Sequence, residues 1–357
     1  MSDHPMMQSW RLPEFGQPLV LHTEDPPVPV GREVLVRIAH CGICHSDLHV
    51  QDGYVMANNT DKVSFSAIGV RTPLTLGHEI MGHVAAAGPD AQGSVAVGDP
   101  CAVFPWMGCG VCETCKAGRL EDCPTPAALG LRRQGGFSNY VLVPDPRYIV
   151  PSGTLSPELV AVAGCSILTA YGALRKLPPL TSRDWIVIIG AGGVGLAAIA
   201  LARHVTAARV LAVDTSDAAL EAAKACGATE TINAAEGSAG VLARTGAAAG
   251  VIDFVGGKQT VETALAVIAR NGVIVVVGLK GGEVGLPLTR LALRSLTVRG
   301  SYTGTLKEFR EVMVILEREG GLDLPLTPVA FSEVNQAMDT LRRGGYVGRA
   351  VIAVPGP

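Results

Sequence analysis

Aromatic residues are scarce in this 357-residue chain, at 4% of the total. So few rings leave little with which to build base-stacking platforms for single-stranded nucleic acid. Positive charge is thin as well: 29 Lys and Arg against 32 Asp and Glu give a net charge of −3, and no basic block occurs. A nucleic-acid surface is therefore not expected. Charged residues make up only 17% and hydrophobic residues 48%, which excludes a disordered chain and suits a large core. The start, MSDHPMMQSW, lacks the basic residues and apolar run of a secretory signal. Trp185 to Ala202 is uncharged and long enough by count for a membrane span. It contains GAGGVG at 190–195, however, which suits a tight turn better than a lipid-facing helix, so no membrane partner is expected. Nine cysteines without an export signal point to a reducing compartment, the cytoplasm. Metal binding or simple burial of thiols is then expected rather than disulfides.

The length exceeds what one core usually covers, so two domains are expected. The first third is rich in β-branched residues, Gly and Pro. EVLVRIAH (33–40) alternates like a strand, and GHEIMGHVAAAG (77–88) and GDPCAVFPW (98–106) read as short strands with turns. Past Pro151 the pattern changes. Helices are predicted over 156–176, then a buried strand over 184–190, a helix over 194–204 and a strand over 208–214. A helix over 217–228 stops at Gly227. A strand over 250–256, a helix over 260–270 and a strand over 272–278 continue the alternation. This is the α/β pattern of a doubly wound parallel sheet. After Val298 the pattern loosens into helices over 307–321 and 331–345 and a last strand over 348–354.

Three motifs carry chemistry. Gly190, Gly192 and Gly195 form G-x-G-x-x-G between a buried strand and a helix, the context in which such a loop cradles a pyrophosphate at a helix N-terminus. Gly193 and Val194 lie within it. The next strand ends in Asp214, with no Arg or Lys among Thr215, Ser216 and Asp217. An acid there accepts hydrogen bonds from ribose hydroxyls and repels a 2′-phosphate, so NAD is expected over NADP. The alternative is that Asp214 merely caps the following helix. Second, Cys109, Cys112, Cys115 and Cys123 are spaced C-x2-C-x2-C-x7-C, enough to close a tetrahedral zinc site with no free position. An iron–sulfur cluster also uses four cysteines, but nothing else in the chain suggests electron transfer. Third, residues 41–50 read CGICHSDLHV: a metal site, a redox pair or a crowded loop, with Cys41 and Cys44 both eligible as ligands.

Taken together, GREVLVRI (31–38), CGICHSDLH, GHE (77–79), the four-cysteine lobe, GCSILTAYGAL around Cys165, GAGGVG, GSYTG (300–304) and GRAVI cover nearly the whole chain. In this combination the chain resembles the zinc-dependent medium-chain alcohol dehydrogenases. The resemblance implies a GroES-like irregular β catalytic domain, 1–155 and 299–357, and a Rossmann NAD-binding domain, 156–298. It implies two zinc ions per chain, one catalytic and one structural, with Cys44, His78 and Cys165 as ligands of the catalytic ion and Cys41 a buried small residue. Glu79 is implied as an alternate ligand beside the site and Asp47 as the residue that orients His78. Ser46 would take the alcohol proton and His49 would pass it on. His45 and Arg349 would lie by the pyrophosphate, and Thr169, Val255, Val277 and Leu279 by the nicotinamide. Zinc would polarise the alcohol oxygen while NAD accepts hydride, giving an aldehyde or ketone and NADH.

One segment departs from short members of that family. The link between His49 and His78 is long, and its extra part, 57–70, is rich in Asn and Ser. It reads as a loop with a short hairpin, either folded over the substrate entrance, with Tyr54 and Trp106 as pocket walls, or a plain surface insertion. A polyol, hydroxyacyl or formaldehyde-type dehydrogenase is the second enzyme reading. A non-catalytic zinc protein would have lost a ligand or relay residue, and none is missing. The resemblance also implies a homo-tetramer, with a dimer as second choice.

Overall fold

The computed structural model describes residues 5–356. The continuous apolar run Trp185–Ile189 is the centre of a six-stranded sheet, buried along its whole length. Its neighbours run Glu230–Asn233, Arg209–Asp214, Trp185–Ile189, Ala248–Asp253, Ile268–Val276, Thr297–Gly300, and every pairing is parallel. Numbered along the chain, that is the order 3-2-1-4-5-6, the doubly wound arrangement in which ligands bind where the strand order reverses. The reversal falls between Arg209–Asp214 and Ala248–Asp253, on either side of the central strand.

The expected boundaries shift most clearly in two places. The helix predicted over 260–270 is Lys258–Val267, because Ile268 already pairs with Ala248 at the start of the next strand. Helices predicted over 156–176 are one apolar stretch, Pro157–Val162 and Leu168–Leu174, joined by a π-helical turn, Ala163–Ile167. This stretch is apolar and long enough to cross a membrane, but 89% of it is buried, so it is a core helix. Trp185 to Ala202 folds as a strand, a glycine turn and part of the helix Gly193–Val205.

The remainder is built on a seven-stranded sheet, mainly antiparallel. Its middle strand, Val34–Gly42, pairs with Glu79–Ala87 on one side and with Arg349–Ala353 on the other. Those two pairings bring Gly42, Glu79 and Val351 to one end of the sheet. A smaller sheet joins Met7–Leu12, Val20–Glu24 and Leu74–Thr75. The expected hairpin in the long link is present as Tyr54–Met56 against Lys62–Ser64. Asn58 closes its turn, accepting from Thr60 N and Asp61 N at 2.8 Å each.

Candidate active site

Cys44 is the N-cap of the short helix His45–Asp52, directly after the strand Val34–Gly42. Asp47 turns back on this start: its Oδ2 accepts from Cys44 N at 2.9 Å and its Oδ1 from Gly77 N at 3.0 Å. One buried carboxylate therefore fixes the backbone beside both Cys44 and His78. The same Oδ1 lies 3.3 Å from His78 Nδ1. Cys165 comes from the π-helical turn. The ligand atoms of Cys44, His78 and Cys165 all lie within 4.8 Å of one another, and all three residues are buried. His78 Nε2 has no hydrogen-bond partner in the protein. Two sulfurs and an imidazole nitrogen left without a donor suit a zinc ion with one further coordination position.

Electrostatics favour one thiolate of the two. The Cys44 thiol is pulled well below its ordinary range by its hydrogen bond with Cys165, against burial and with help from Arg349 and His78. Cys165 is pushed well up by the same hydrogen bond and by burial. Cys41 is fully buried and burial pushes its thiol up, so it is a packed residue of the core beside the cluster.

Ser46, His45, His49, Glu79, Arg349 and Trp106 stand around the cluster, while Tyr54 lies on the hairpin. Ser46 Oγ lies 3.7 Å from Cys44 Sγ, and His49 follows one turn later on the same helix. Loss of hydration lowers the pKa of both His45 and His49. Glu79 is fully buried and Arg349 5% exposed, and they pair at 3.4 Å. Trp106 packs tilted against His78 with ring centroids 5.2 Å apart and donates from Nε1 to Gly164 O. Tyr54 is on the hairpin, with Lys62 Nζ 3.7 Å from its ring centre. The hairpin tip reaches the nucleotide-binding part: a Cβ on Gly281, whose φ is +85°, would lie 2.6 Å from Met56 Cβ.

Two residues near the site had no role assigned from sequence. Tyr302 packs on Trp106 with centroids 5.6 Å apart. It is 67% exposed. Ser166, next to Cys165, hydrogen-bonds both Glu79 and Arg349. GSYTG and GCSILTAYGAL flagged both segments, but no periodicity in either distinguishes these side chains from packing residues.

The dinucleotide side forms at the reversal of strand order. A Cβ on Gly195 would lie 1.8 Å from Gly190 O, so only glycine allows the helix to approach the turn this closely. No side chain caps the start of Gly193–Val205, whose N–H groups are left for an anion. Asp214 accepts from Ala191 N at 2.7 Å and from Ser216 N at 2.9 Å. The cap of the next helix is Ser216, which accepts from Ala219 N, so helix capping does not explain Asp214. Each Asp214 oxygen retains a lone pair for a ribose hydroxyl. A cavity of about 730 Å³ opens here, lined by Gly190, Asp214, Asn233, Val255, Lys258 and Lys280. Val255 packs over Gly190, Val277 N bonds Asp253 O, and Leu279 is 46% exposed. Thr169 is buried in the helix Leu168–Leu174.

The sulfurs of Cys109, Cys112, Cys115 and Cys123 also lie within 4.8 Å of one another. Cys112 and Cys123 are 3.9 Å apart, against the ~3.8 Å edge of a tetrahedron with Zn–S bonds of about 2.3 Å. Backbone N–H groups of Val111 and Cys112 lower the Cys109 thiol to about 6. This closed set suits a structural zinc.

A three-ligand metal site beside a dinucleotide crevice defines a metal-dependent dehydrogenase. The chain belongs to the zinc-binding alcohol dehydrogenase family: residues 31–153 match the alcohol dehydrogenase GroES-like domain and residues 193–318 the zinc-binding dehydrogenase domain. It is 34% identical over 350 residues to an NAD-dependent alcohol dehydrogenase of Sulfurisphaera tokodaii, covering 97% of this chain and 99% of that one. A second, from Sulfolobus acidocaldarius, is 35% identical over 356 residues, covering 98% and 100%. The crystal structure of the Aeropyrum pernix alcohol dehydrogenase superposes with a TM-score of 0.86 at 29% identity, covering 97% of this chain and 99% of that one.

Proposed function

We propose that the protein is an NAD-dependent zinc alcohol dehydrogenase that interconverts a primary or secondary alcohol with its aldehyde or ketone. The observation that carries this reading is the buried Cys44–His78–Cys165 cluster with Ser46 Oγ at its edge. When bound, zinc supplies Lewis-acid polarisation of the substrate oxygen, and the dinucleotide supplies the hydride acceptor. The chain's own residues do the rest. Asp47 holds the loops that carry Cys44 and His78. Ser46 accepts the alcohol proton, and His49, three residues on and so on the same helix face, relays it outward. Lost hydration lowers the His49 pKa, which favours the neutral ring that can accept a proton.

Gly190 to Gly195 hold the diphosphate, with His45 and the cationic Arg349 beside it. Asp214 holds the adenosine ribose, which favours NAD. Val255, Val277, Leu279 and Thr169 enclose the nicotinamide. Trp106 walls the alcohol site, with Tyr54 on the hairpin beyond it, and Glu79 stands by as the alternate ligand. In this reading the catalytic part is 1–155 with 299–357 and the dinucleotide part 156–298. The enzyme works in the cytoplasm, where nine free thiols persist, as a homo-tetramer, with a dimer as second choice.

The test is NADH formation on primary, secondary, benzylic and polyol alcohols, before and after zinc removal. The panel includes a sugar and a hydroxy amino acid. Relatives at 30% identity are named D-arabinose 1-dehydrogenase (NADP(+)) and L-threonine 3-dehydrogenase.

A further inference from the structure

Arg349 sits where the two halves of the site meet. Its Nε donates to Ser166 Oγ at 2.8 Å, its Nη2 also reaches Ser166 Oγ, and its Nη1 donates to Ile43 O at 3.3 Å. Its Nη2 lies 3.4 Å from Glu79 Oε1. Ile43, Glu79 and Ser166 are the chain neighbours of Cys44, His78 and Cys165. One guanidinium thus touches the residue next to every ligand of the metal cluster. On its other side it packs against the phosphate loop: a Cβ on Gly193 would lie 3.1 Å from Arg349 Nε.

Ser166 is the part of this network that no charge requirement explains. Its hydroxyl donates to Glu79 Oε1 at 2.6 Å and accepts from Arg349, and its backbone N–H donates to Glu79 Oε1 at 3.2 Å. It is 1% exposed. Without the hydroxyl, Arg349 Nε loses its partner and the arginine can swing toward Glu79 or toward the phosphate loop. With it, the guanidinium is fixed between them.

We propose that Ser166 is a positioning residue that links metal retention to dinucleotide binding, by holding Arg349 against both the ligand-bearing loops and the phosphate loop. This rests on the reading of the site given above. The link predicts that one hydroxyl controls two quantities measured at different ends of the site.

The experiment compares wild type with Ser166→Ala, Ser166→Thr and Arg349→Lys. NADH affinity is read by fluorescence titration of zinc-loaded protein, and zinc release by transfer to a chromogenic chelator. In Ser166→Ala, NADH affinity falls roughly tenfold, as expected for losing one charge-assisted hydrogen bond. Zinc release speeds roughly tenfold, the usual size for losing an outer partner of a metal ligand. Ser166→Thr keeps the hydroxyl and restores both. Arg349→Lys keeps the charge but not the fork, and loses both together. If Ser166→Ala leaves both within twofold of wild type, or if Arg349→Lys weakens NADH alone, the link does not exist. Should Ser166→Ala fail to fold, Arg349→Lys alone decides by the same two readings. Wild type that binds neither zinc nor NADH overturns the site reading as well, whereas a purely structural role would lower thermal stability in Ser166→Ala without moving either reading.

Discussion

Replacing Asp47 with Asn is a sharp test of how the metal site is held. The carboxylate is 1% exposed, and each of its oxygens accepts one backbone N–H, from Cys44 at 2.9 Å and Gly77 at 3.0 Å. An amide of the same shape keeps one acceptor and turns a donor toward the other N–H. Hydrogen bonds to a charged group contribute about 1.5–3 kcal/mol each, and neutral ones about 0.5–1.5. Losing one and demoting the other costs about 2.5–4.5 kcal/mol. The loss falls on the loops that carry Cys44 and His78, so part of it appears as weaker metal binding. A drop of roughly 10–100-fold in zinc affinity is expected, equal to about 1.4–2.7 kcal/mol. Equilibrium competition against a chromogenic chelator measures it. NADH binding to the zinc-loaded variant should stay within about threefold, since no Asp47 contact reaches the glycine loop. Zinc affinity within twofold of wild type would refute the idea that this carboxylate sets the ligand geometry.

Acid sensitivity and hairpin docking yield the other two predictions. Burial would raise the Asp145 carboxyl, but hydrogen bonds from Arg32 and Arg147 outweigh it and hold its pKa far below the usual range. A depressed folded pKa stabilises above the unfolded value of about 3.9 and is lost as pH falls through the folded one. Metal-free wild type should therefore exceed Asp145→Asn in urea resistance by a constant margin from pH 6 to 8, as a roughly ordinary unfolded carboxylate dictates. The margin should shrink at pH 3, and an equal margin at both ends would contradict the ion-pair account. For the hairpin, Gly281→Ala forces a side chain into positive φ, at about 1–2 kcal/mol, and against Met56 Cβ, which cannot rotate away. Trypsin should then cut faster after the exposed Lys62, with zinc content unchanged. Equal cleavage rates would show that the Gly281 loop does not hold the hairpin.

How far the sequence discloses this molecule depends on which physics each part uses. Trp185–Ile189 is legible because a strand buried on both faces must be continuously apolar, and the glycines after it mark the phosphate turn. Glu230–Asn233 and Thr297–Gly300 are edge strands of four mixed residues each, too short to show a period. The helix end at Val267 is not legible, because Ile268 and Ala269 suit either element. The four-cysteine lobe and Cys44 are legible from spacing and resemblance. The π-helical turn that presents Cys165 is not, since its residues are ordinary helix and core formers. The Ser166–Arg349 contact spans 183 positions and becomes visible only when Arg349–Ala353 pairs with Val34–Gly42. The alternative reading of Asp214 as a cap was resolved by Ser216, whose hydroxyl takes that role.

The most direct test of the central claim is the initial rate of NADH formation on the alcohol panel, measured on one preparation as isolated, after chelation and after zinc return. Turnover is expected on at least one alcohol class, with NAD preferred to NADP. Activity should disappear when the Cys44–His78–Cys165 site is emptied and reappear with zinc. Turnover that survives removal of both zinc ions, or zinc-loaded protein that binds NADH yet oxidises no alcohol, would contradict that claim.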